Sequence, residues 1–285
     1  WEANGGEAAK ESEIRRTSDA ANNEEAKATA LKSPPSEVSP PFSNGSPPVT
    51  EGDKGYSWWD EGHSLVCNKA ANLMSAETST KLFSILESDN YGEGCVWPDV
   101  IKQVERRETG PWHYINSPPG KDAITPESCP KKGCIMRAYE EQLSLLRIGN
   151  DAEKKDAIRF IGHFVADIHQ PLHTGFGYDR GGNEHLLTLH GKKKSNMHSI
   201  WDGEILEFLY KTQGKKVVHK KIDELSKKYK NNLGYGDDIY PWANESRKIA
   251  VSDSVRYLDS RIQNVDESYL ITHGSIVIDR IALAI

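Results

Sequence analysis

Between His163 and His173 the chain reads HFVADIHQPLH, three histidines and an aspartate inside an otherwise apolar run. The run completes a helical repeat that starts at Asp151, taken as the N-cap, and stops before Pro171. Ile158, Ile161, Phe164, Val165 and Ile168 recur at the three- and four-residue spacing of one helix face. His163 and Asp167 are four apart, so their side chains leave that helix one turn from each other. A carboxylate among isoleucine and phenylalanine is expensive to bury alone. Any fold built around this helix must bring it a counter-charge, and a cation is the usual remedy.

The same unit occurs again. His198 and Asp202, in HSIWD, are also four apart, and His173 lies just past the end of the first helix. A lone histidine on a helix face is more often a satisfied core or surface residue, but two such units are harder to dismiss. WWDEGH supplies His63, and VWPDVIKQVERRETGPWHYIN supplies Asp99 and His113, each beside a tryptophan. Imidazole nitrogen with carboxylate oxygen suits zinc. Three aspartates and five histidines are too many for one four-coordinate ion. The residues alone thus indicate a multinuclear metal site carried on helices, with hydrolytic chemistry.

Composition divides the chain. Residues 1–57 hold few large apolar side chains and three Pro-Pro pairs, and they carry six Lys/Arg against ten Asp/Glu, about −4 of the total −6. Such a segment buries too little to offset the entropy of ordering it and reads as a disordered leader or propeptide. Residues 58–285 form one domain, nearly neutral, which argues against holding nucleic acid through a large basic face but leaves bound metal as a source of positive charge. Helical patterns fall at 62–74, 75–88, 135–148, 151–168, 197–210, 219–230, 241–258 and 267–285, with a strand-like run at 185–190 after the RGGN turn. The last helix reaches the final residue without a cap, as if the chain continued. The expected fold is all-α, with at most a small β-hairpin. No run resembles a membrane span or signal peptide. The four cysteines, Cys67, Cys95, Cys129 and Cys134, suggest two disulfides and an oxidising compartment, with a half zinc-finger as the rival reading. Sequons at Asn44 and Asn244 point the same way.

In order, WWDEGH, WPD, WHYIN, HFVADIHQPLH, GGN, HSIWD and WANES resemble the class I nucleases over roughly 58–285. These are the zinc-dependent, single-strand-specific endonucleases and 3′-nucleotidases of fungi, plants and protists, with a helical fold shared with zinc phospholipase C. The resemblance implies three zinc ions. Asp99, His113, His163 and Asp167 should hold one. Asp167 should bridge to a second, bound also by His63 and the backbone of Trp58. His173, His198 and Asp202 should hold the third, leaving His169 without a ligand role. It also implies Cys67–Cys95 and Cys129–Cys134 disulfides. The expected reaction is hydrolysis of single-stranded DNA or RNA and of 3′-nucleotides to 5′-phosphate products, with Asp99 as a secondary proton acceptor.

The chain departs from the family pattern at three places. Lys102 stands where members often place an arginine toward the phosphate. Beside Tyr114, which should stack on an unpaired base, Asn116 replaces an aspartate. Trp58, a free N-terminus in the family, is preceded here by 57 residues, so a processing protease is expected to cut Ser57–Trp58. The Lys192–Lys194 run is a solvated loop or a contact to the nucleic-acid backbone. A monomer without a stable protein partner is expected, secreted or lumenal: in the secretory pathway, a lysosome-like compartment or at the cell surface. Two alternatives remain: a phospholipase C-like phosphodiesterase, and a non-catalytic zinc-binding interaction protein.

Overall fold

The computed structural model describes residues 59–230, 237–257 and 262–285; the leader read at 1–57, Trp58 and the Asn44 sequon lie outside them. Helix α1 (Trp59–Leu73) is followed by α2 (Ala76–Leu86), capped by the Ser75 hydroxyl on the Thr78 amide. Next comes α3 (Tyr91–Val104), whose cap is the Asn90 side chain. Sequence periodicity does not announce α3, because Gly92, Gly94 and Pro98 are poor helix formers. Its buried face, including Tyr91, Cys95, Asp99 and Ile101, supplies what propensity lacks.

After α4 (Ile135–Ile148) comes α5 (Asp151–His169), the helix of HFVADIH. Its N-cap is Asn150 rather than Asp151. The Asn150 side chain accepts from the Glu153 amide at 3.0 Å, and Glu153 accepts the Asn150 amide at 2.8 Å, a reciprocal capping box. Asp151 instead sits in the first turn, where a negative charge favours the helix dipole. Nor does α5 bury only one stripe. Ala157, Ile158, Phe160, Phe164, Ala166 and Ile168 are buried together with His163, Asp167 and His169, because helices surround it.

The expected hairpin is β1 (Leu186–Leu189) against β2 (Lys193–Asn196), antiparallel, with Leu187 opposite Ser195. A third strand, β3 (Asn264–Val265), pairs parallel to β1, with Leu189 opposite Val265; two residues are too short a strand to show in sequence. Then α6 (Met197–Ser199) passes through a π turn, Ile200–Glu204, into α7 (Ile205–Gln213). Gly214, at φ 85°, separates α7 from α8 (Lys215–Tyr229). Helix α9 (Tyr240–Ala250) stops short of the expected 258, where the Ser252 hydroxyl takes the Ile249 carbonyl at 2.7 Å and competes with helical pairing. Helix α10 (Glu267–Ala284) closes the described fold. None of the described helices is long and apolar enough to cross a membrane.

Two disulfides join the four cysteines, Cys67–Cys95 and Cys129–Cys134, which disposes of the half zinc-finger. The first links α1 to α3 and lies against α5 at Gly162. A Cβ there would meet Cys95 Sγ and Tyr91 Oη at 2.5 Å and Cys67 Sγ at 2.7 Å. Gly162→Ala should therefore cost about 1–3 kcal/mol through overpacking, read as a lowered midpoint of thermal or urea unfolding. An unchanged midpoint would mean that the three helices are not packed this tightly. The Asn244 sequon is engaged in structure: its amide pairs with both the amide and the carbonyl of Ile124, and Ser246 is buried on the Ile168 carbonyl. A glycan on Asn244 would break that pairing.

Candidate metal centre and cleft

Eight side chains expected to hold metal converge from separate elements. His63 comes from α1, Asp99 from α3, His113 from the 3-10 turn Arg107–His113, and His163 with Asp167 from α5. His173 comes from the 3-10 turn Pro171–Thr174, His198 from α6, and Asp202 from the π turn. A π turn often marks a functional site, and here it carries a candidate ligand. All but His198 are buried. The donor atoms form three groups, each within 4.8 Å: His63, Asp99 and His163; His113, His163 and Asp167; His173, His198 and Asp202.

Asp167 is the hub. One carboxylate oxygen lies 3.1 Å from His63 Nε2 and 3.3 Å from His173 Nδ1. The other lies 3.1 Å from His113 Nδ1 and 3.0 Å from His163 Nε2. His113 Nδ1 and His163 Nε2 are themselves 2.8 Å apart, and each is 3.4 Å from Asp99 Oδ1. His63 stacks on His163 with ring centroids 3.9 Å apart and only 4° between planes.

Backbone carbonyls fix the tautomers. His163 Nδ1 donates to the Cys95 carbonyl at 2.6 Å, His173 Nδ1 to the His113 carbonyl at 2.8 Å, and His198 Nδ1 to the Gly181 carbonyl at 2.7 Å. Each therefore turns Nε2 inward, the way metal-binding imidazoles are usually held. Around Asp202, the Gln170 side-chain amide donates to Oδ1 at 2.5 Å, while its own oxygen accepts from the Leu172 amide at 2.5 Å.

Electrostatics describe a site short of positive charge. Burial alone would raise Asp99 and Asp167, yet the neighbouring histidines, with Lys102 beside Asp99, hold both carboxyls well below the usual range. Burial likewise opposes ionisation of Asp202, but His198 and His173 keep its pKa at about 2. Burial would lower His163; Asp167 and Asp99 outweigh it and raise it to about 10. Burial and Lys102 push His113 down to about 4, and burial with His163 lowers His63. His63 Nδ1, His113 Nε2, His173 Nε2 and Asp202 Oδ2 are buried without a hydrogen bond. Three buried carboxylates thus face five imidazoles, of which His163 and His173 are raised, and protons on those two cannot serve the whole cluster. A divalent cation in each group would, so this donor set fits metal.

His169, by contrast, is buried against Trp242 with its Nδ1 on the Val165 carbonyl at 2.7 Å, outside all three groups. Beside the groups a cleft of about 850 Å³ opens, lined by His113, His173 and His198 and by Lys102, Tyr114, Asn116, Lys132 and Arg180. None of the described lining residues is a carboxylate. Lys102 Nζ pairs with Asp99. Asn116 Oδ1 is buried without a hydrogen bond. In the 192–194 run, Lys193 is tied to Glu204 at 2.5 Å.

Sequence reasoning assigned no role to Gln170, Gly162 or Arg247. Gln170 lies inside HFVADIHQPLH, and its signal was its place between two candidate ligands. Arg247, next to WANES, is buried and gives one nitrogen to the Thr174 and Gly175 carbonyls, each at 2.8 Å. Its other terminal nitrogen reaches the Pro118 and Lys121 carbonyls at 3.1 and 3.0 Å. It thereby ties the segment after Asn116 to the turn after His173.

A helical domain that gathers histidine and aspartate under a cation-walled cleft is the framework of a phosphoester hydrolase. The chain belongs to the S1/P1 nuclease family, whose family model, described as S1/P1 Nuclease, matches residues 58–284. It is similar to Endonuclease 1 of Arabidopsis thaliana, 32% identical over 257 residues, covering 79% of this chain and 82% of that protein. Endonuclease 3 of the same plant is 32% identical over 198 residues, 65% of this chain and 66% of its own length. Nuclease S1 of Aspergillus oryzae is 30% identical over 161 residues, 53% and 55% respectively. The protein is a hydrolase acting on the phosphodiester bonds of nucleic acid.

Proposed function

We propose that residues 58–285 are a three-zinc domain that cuts single-stranded DNA and RNA to 5′-phosphate products and removes phosphate from 3′-nucleotides. The observation that carries this reading is the crowding of four histidines, from four elements, around the buried Asp167 carboxylate. Asp99, His113, His163 and Asp167 would hold one ion. Asp167, His63 and the Trp58 backbone would hold the second; His173, His198 and Asp202 would hold the third. Zinc supplies Lewis-acid charge at the phosphate and lowers the proton affinity of adjacent water.

The chain's own groups do the rest. Asp99, kept ionised by its neighbours, accepts a proton from the attacking water as a secondary base. Lys102 faces the cleft and offers the phosphate a point charge rather than a two-pronged contact. Tyr114 presents a ring on which an unpaired base can stack, which rewards strands whose bases are splayed out. Asn116 can accept from a base or donate to one, and so broadens base preference relative to a carboxylate.

Removal of the segment before Trp58 belongs to the same proposal, and the family match begins at that residue. A free α-amine, with a pKa of roughly 7.7–8.0, binds metal once deprotonated; a peptide nitrogen does not. The disulfides favour an extracellular or lumenal setting.

The test measures zinc per chain, single-stranded DNA cleavage and phosphatidylcholine hydrolysis on the full chain and on a form starting at Trp58. The trimmed form should bind three zincs and cut DNA, lose activity to a chelator and regain it with zinc. Equal cutting by both forms would remove the amine from the site. Zinc bound without any cutting would leave an interaction protein, and lipid hydrolysis alone a phospholipase.

Metal uptake should also move protons. His163 is raised to about 10 and His173 is raised by Asp167 and Asp202 despite burial, so zinc must displace their protons. Apparent zinc affinity should rise with pH, and calorimetry in buffers of different ionisation enthalpy should give different heats. Identical heats would count against protonated ligands. For the metal-free protein, the stability His163 contributes is full below its ordinary value of roughly 6.5 and is lost as pH rises through about 10.

A further inference from the structure

Beyond the Gly181 carbonyl that orients His198, the proposed reaction makes no use of one wall of the cleft, the turn from Gly177 to Asn183. Three successive residues there, Arg180, Gly181 and Gly182, have φ of 54°, 66° and 84°. Glycine adopts this region freely; arginine does so only where the surroundings enforce it. Here they do. Buried Asp179 accepts from the Gly182 amide at 3.0 Å and from Tyr257 Oη at 2.6 Å. The Gly181 amide donates to the Phe176 carbonyl at 2.8 Å, and Asn183 Nδ2 donates to the Arg180 carbonyl at 2.8 Å.

The turn holds Arg180 on the cleft and carries Tyr178 beside it. Tyr178 is 60% exposed, unusual for a tyrosine on so rigid a segment. Its ring lies 5.6 Å from that of buried Phe176, at 19° to it, and the Arg247 guanidinium lies 4.5 Å over Phe176. The tyrosine is therefore backed by a fixed stack. Its neighbours Gly177 and Arg180 both line the cleft, with Lys102 and Lys132. An exposed, braced aromatic ring two residues from a cation is the combination that holds single-stranded nucleic acid: the ring for a base, the charge for its phosphate.

We propose that Tyr178 and Arg180 form an additional nucleotide subsite on the rim of the cleft. An unpaired base stacks on Tyr178 and the adjoining phosphodiester pairs with Arg180. The proposal rests on the nuclease reading and deepens it: the preferred substrate is a polymer that runs past the reacting phosphate, rather than a mononucleotide.

The variants are Tyr178→Ala, Tyr178→Trp and Arg180→Asn; asparagine tolerates positive φ, so the last removes the charge and keeps the turn. Two readouts separate this inference from the nuclease reading. Anisotropy of fluorescein-labelled oligothymidylate on metal-stripped full-length protein reads binding without catalysis. Tyr178→Ala should weaken it roughly 5- to 100-fold and Tyr178→Trp should restore it, while Arg180→Asn should reduce the salt dependence by about 0.7 in log–log slope. On the zinc-loaded form starting at Trp58, the ratio of kcat/KM for oligothymidylate to that for 3′-thymidylate should fall in step. Dissociation constants within twofold of wild type for both Tyr178→Ala and Arg180→Asn would overturn the subsite. Oligothymidylate binding that depends on Tyr178, with no cleavage by the zinc-loaded form starting at Trp58, would overturn the nuclease reading and leave the subsite standing.

Discussion

Asp167→Asn should empty two of the three proposed zinc sites at once. Both carboxylate oxygens are engaged, one toward His63 and His173 and the other toward His113 and His163. Asparagine keeps the shape but removes the charge on which the histidines depend. Zinc per chain should fall from three to one or fewer. Hydrolysis of single-stranded DNA should fall roughly 10³-fold or more, since the ions are asked for several kcal/mol of transition-state stabilisation. The metal-free variant should also be less stable than the metal-free wild type, by about 3–5 kcal/mol, because a buried pairing loses one partner. Metal analysis by mass spectrometry decides the matter: three zincs retained with activity intact would show that Asp167 is not shared.

Gln170→Glu should act on the remaining group alone. The substitution is nearly isosteric, yet it exchanges an amide that donates to Asp202 for an oxygen that repels it. Orienting partners of this kind are typically worth 10- to 100-fold in metal affinity. Zinc held by His173, His198 and Asp202 should become the weakest of the three, leaving first on dialysis against a mild chelator. Gln170→Met, which removes the donor without adding charge, should give a smaller loss. If Gln170→Glu holds its third zinc as tightly as the wild type, the amide has no orienting role.

Much of this centre is legible in the amino-acid sequence, because its residues obey helical geometry. His163 with Asp167 and His198 with Asp202 are local pairs, fixed by a four-residue spacing and by the cost of burying a carboxylate unpaired. Several of the helices packed on α5 are legible for the same reason. What local pattern cannot carry is the meeting of distant elements. Nothing near Asp99 says that His113 will lie 3.4 Å away, and the resemblance to known nucleases, not the spacing, groups them. Helix α3 escapes because its glycines and proline speak against it while tertiary burial decides for it. The start of α5 shifts by one residue because Asn150 and Glu153 satisfy each other. Gln170, Arg247 and the Asp179–Tyr257 pair act through carbonyls and carboxylates far away in the chain, so their roles exist only once the chain has folded.

The Cys67–Cys95 bond has a consequence for where and when the activity can exist. It lies four residues past His63 and four before Asp99, against the helix that bears His163, and closes a 28-residue separation. A loop of that length is worth roughly 3–4 kcal/mol to the folded chain. While those two thiols are reduced, the helices bearing His63 and Asp99 lack their cross-link, and the metal groups they complete are the ones loosened. Among reducing thiols the protein should bind zinc weakly and cut slowly; full activity then requires oxidation of this bond as well as removal of the segment before Trp58. Zinc affinity measured with and without a reductant on the form starting at Trp58, with cleavage followed alongside, would show whether the bond controls the site in this way.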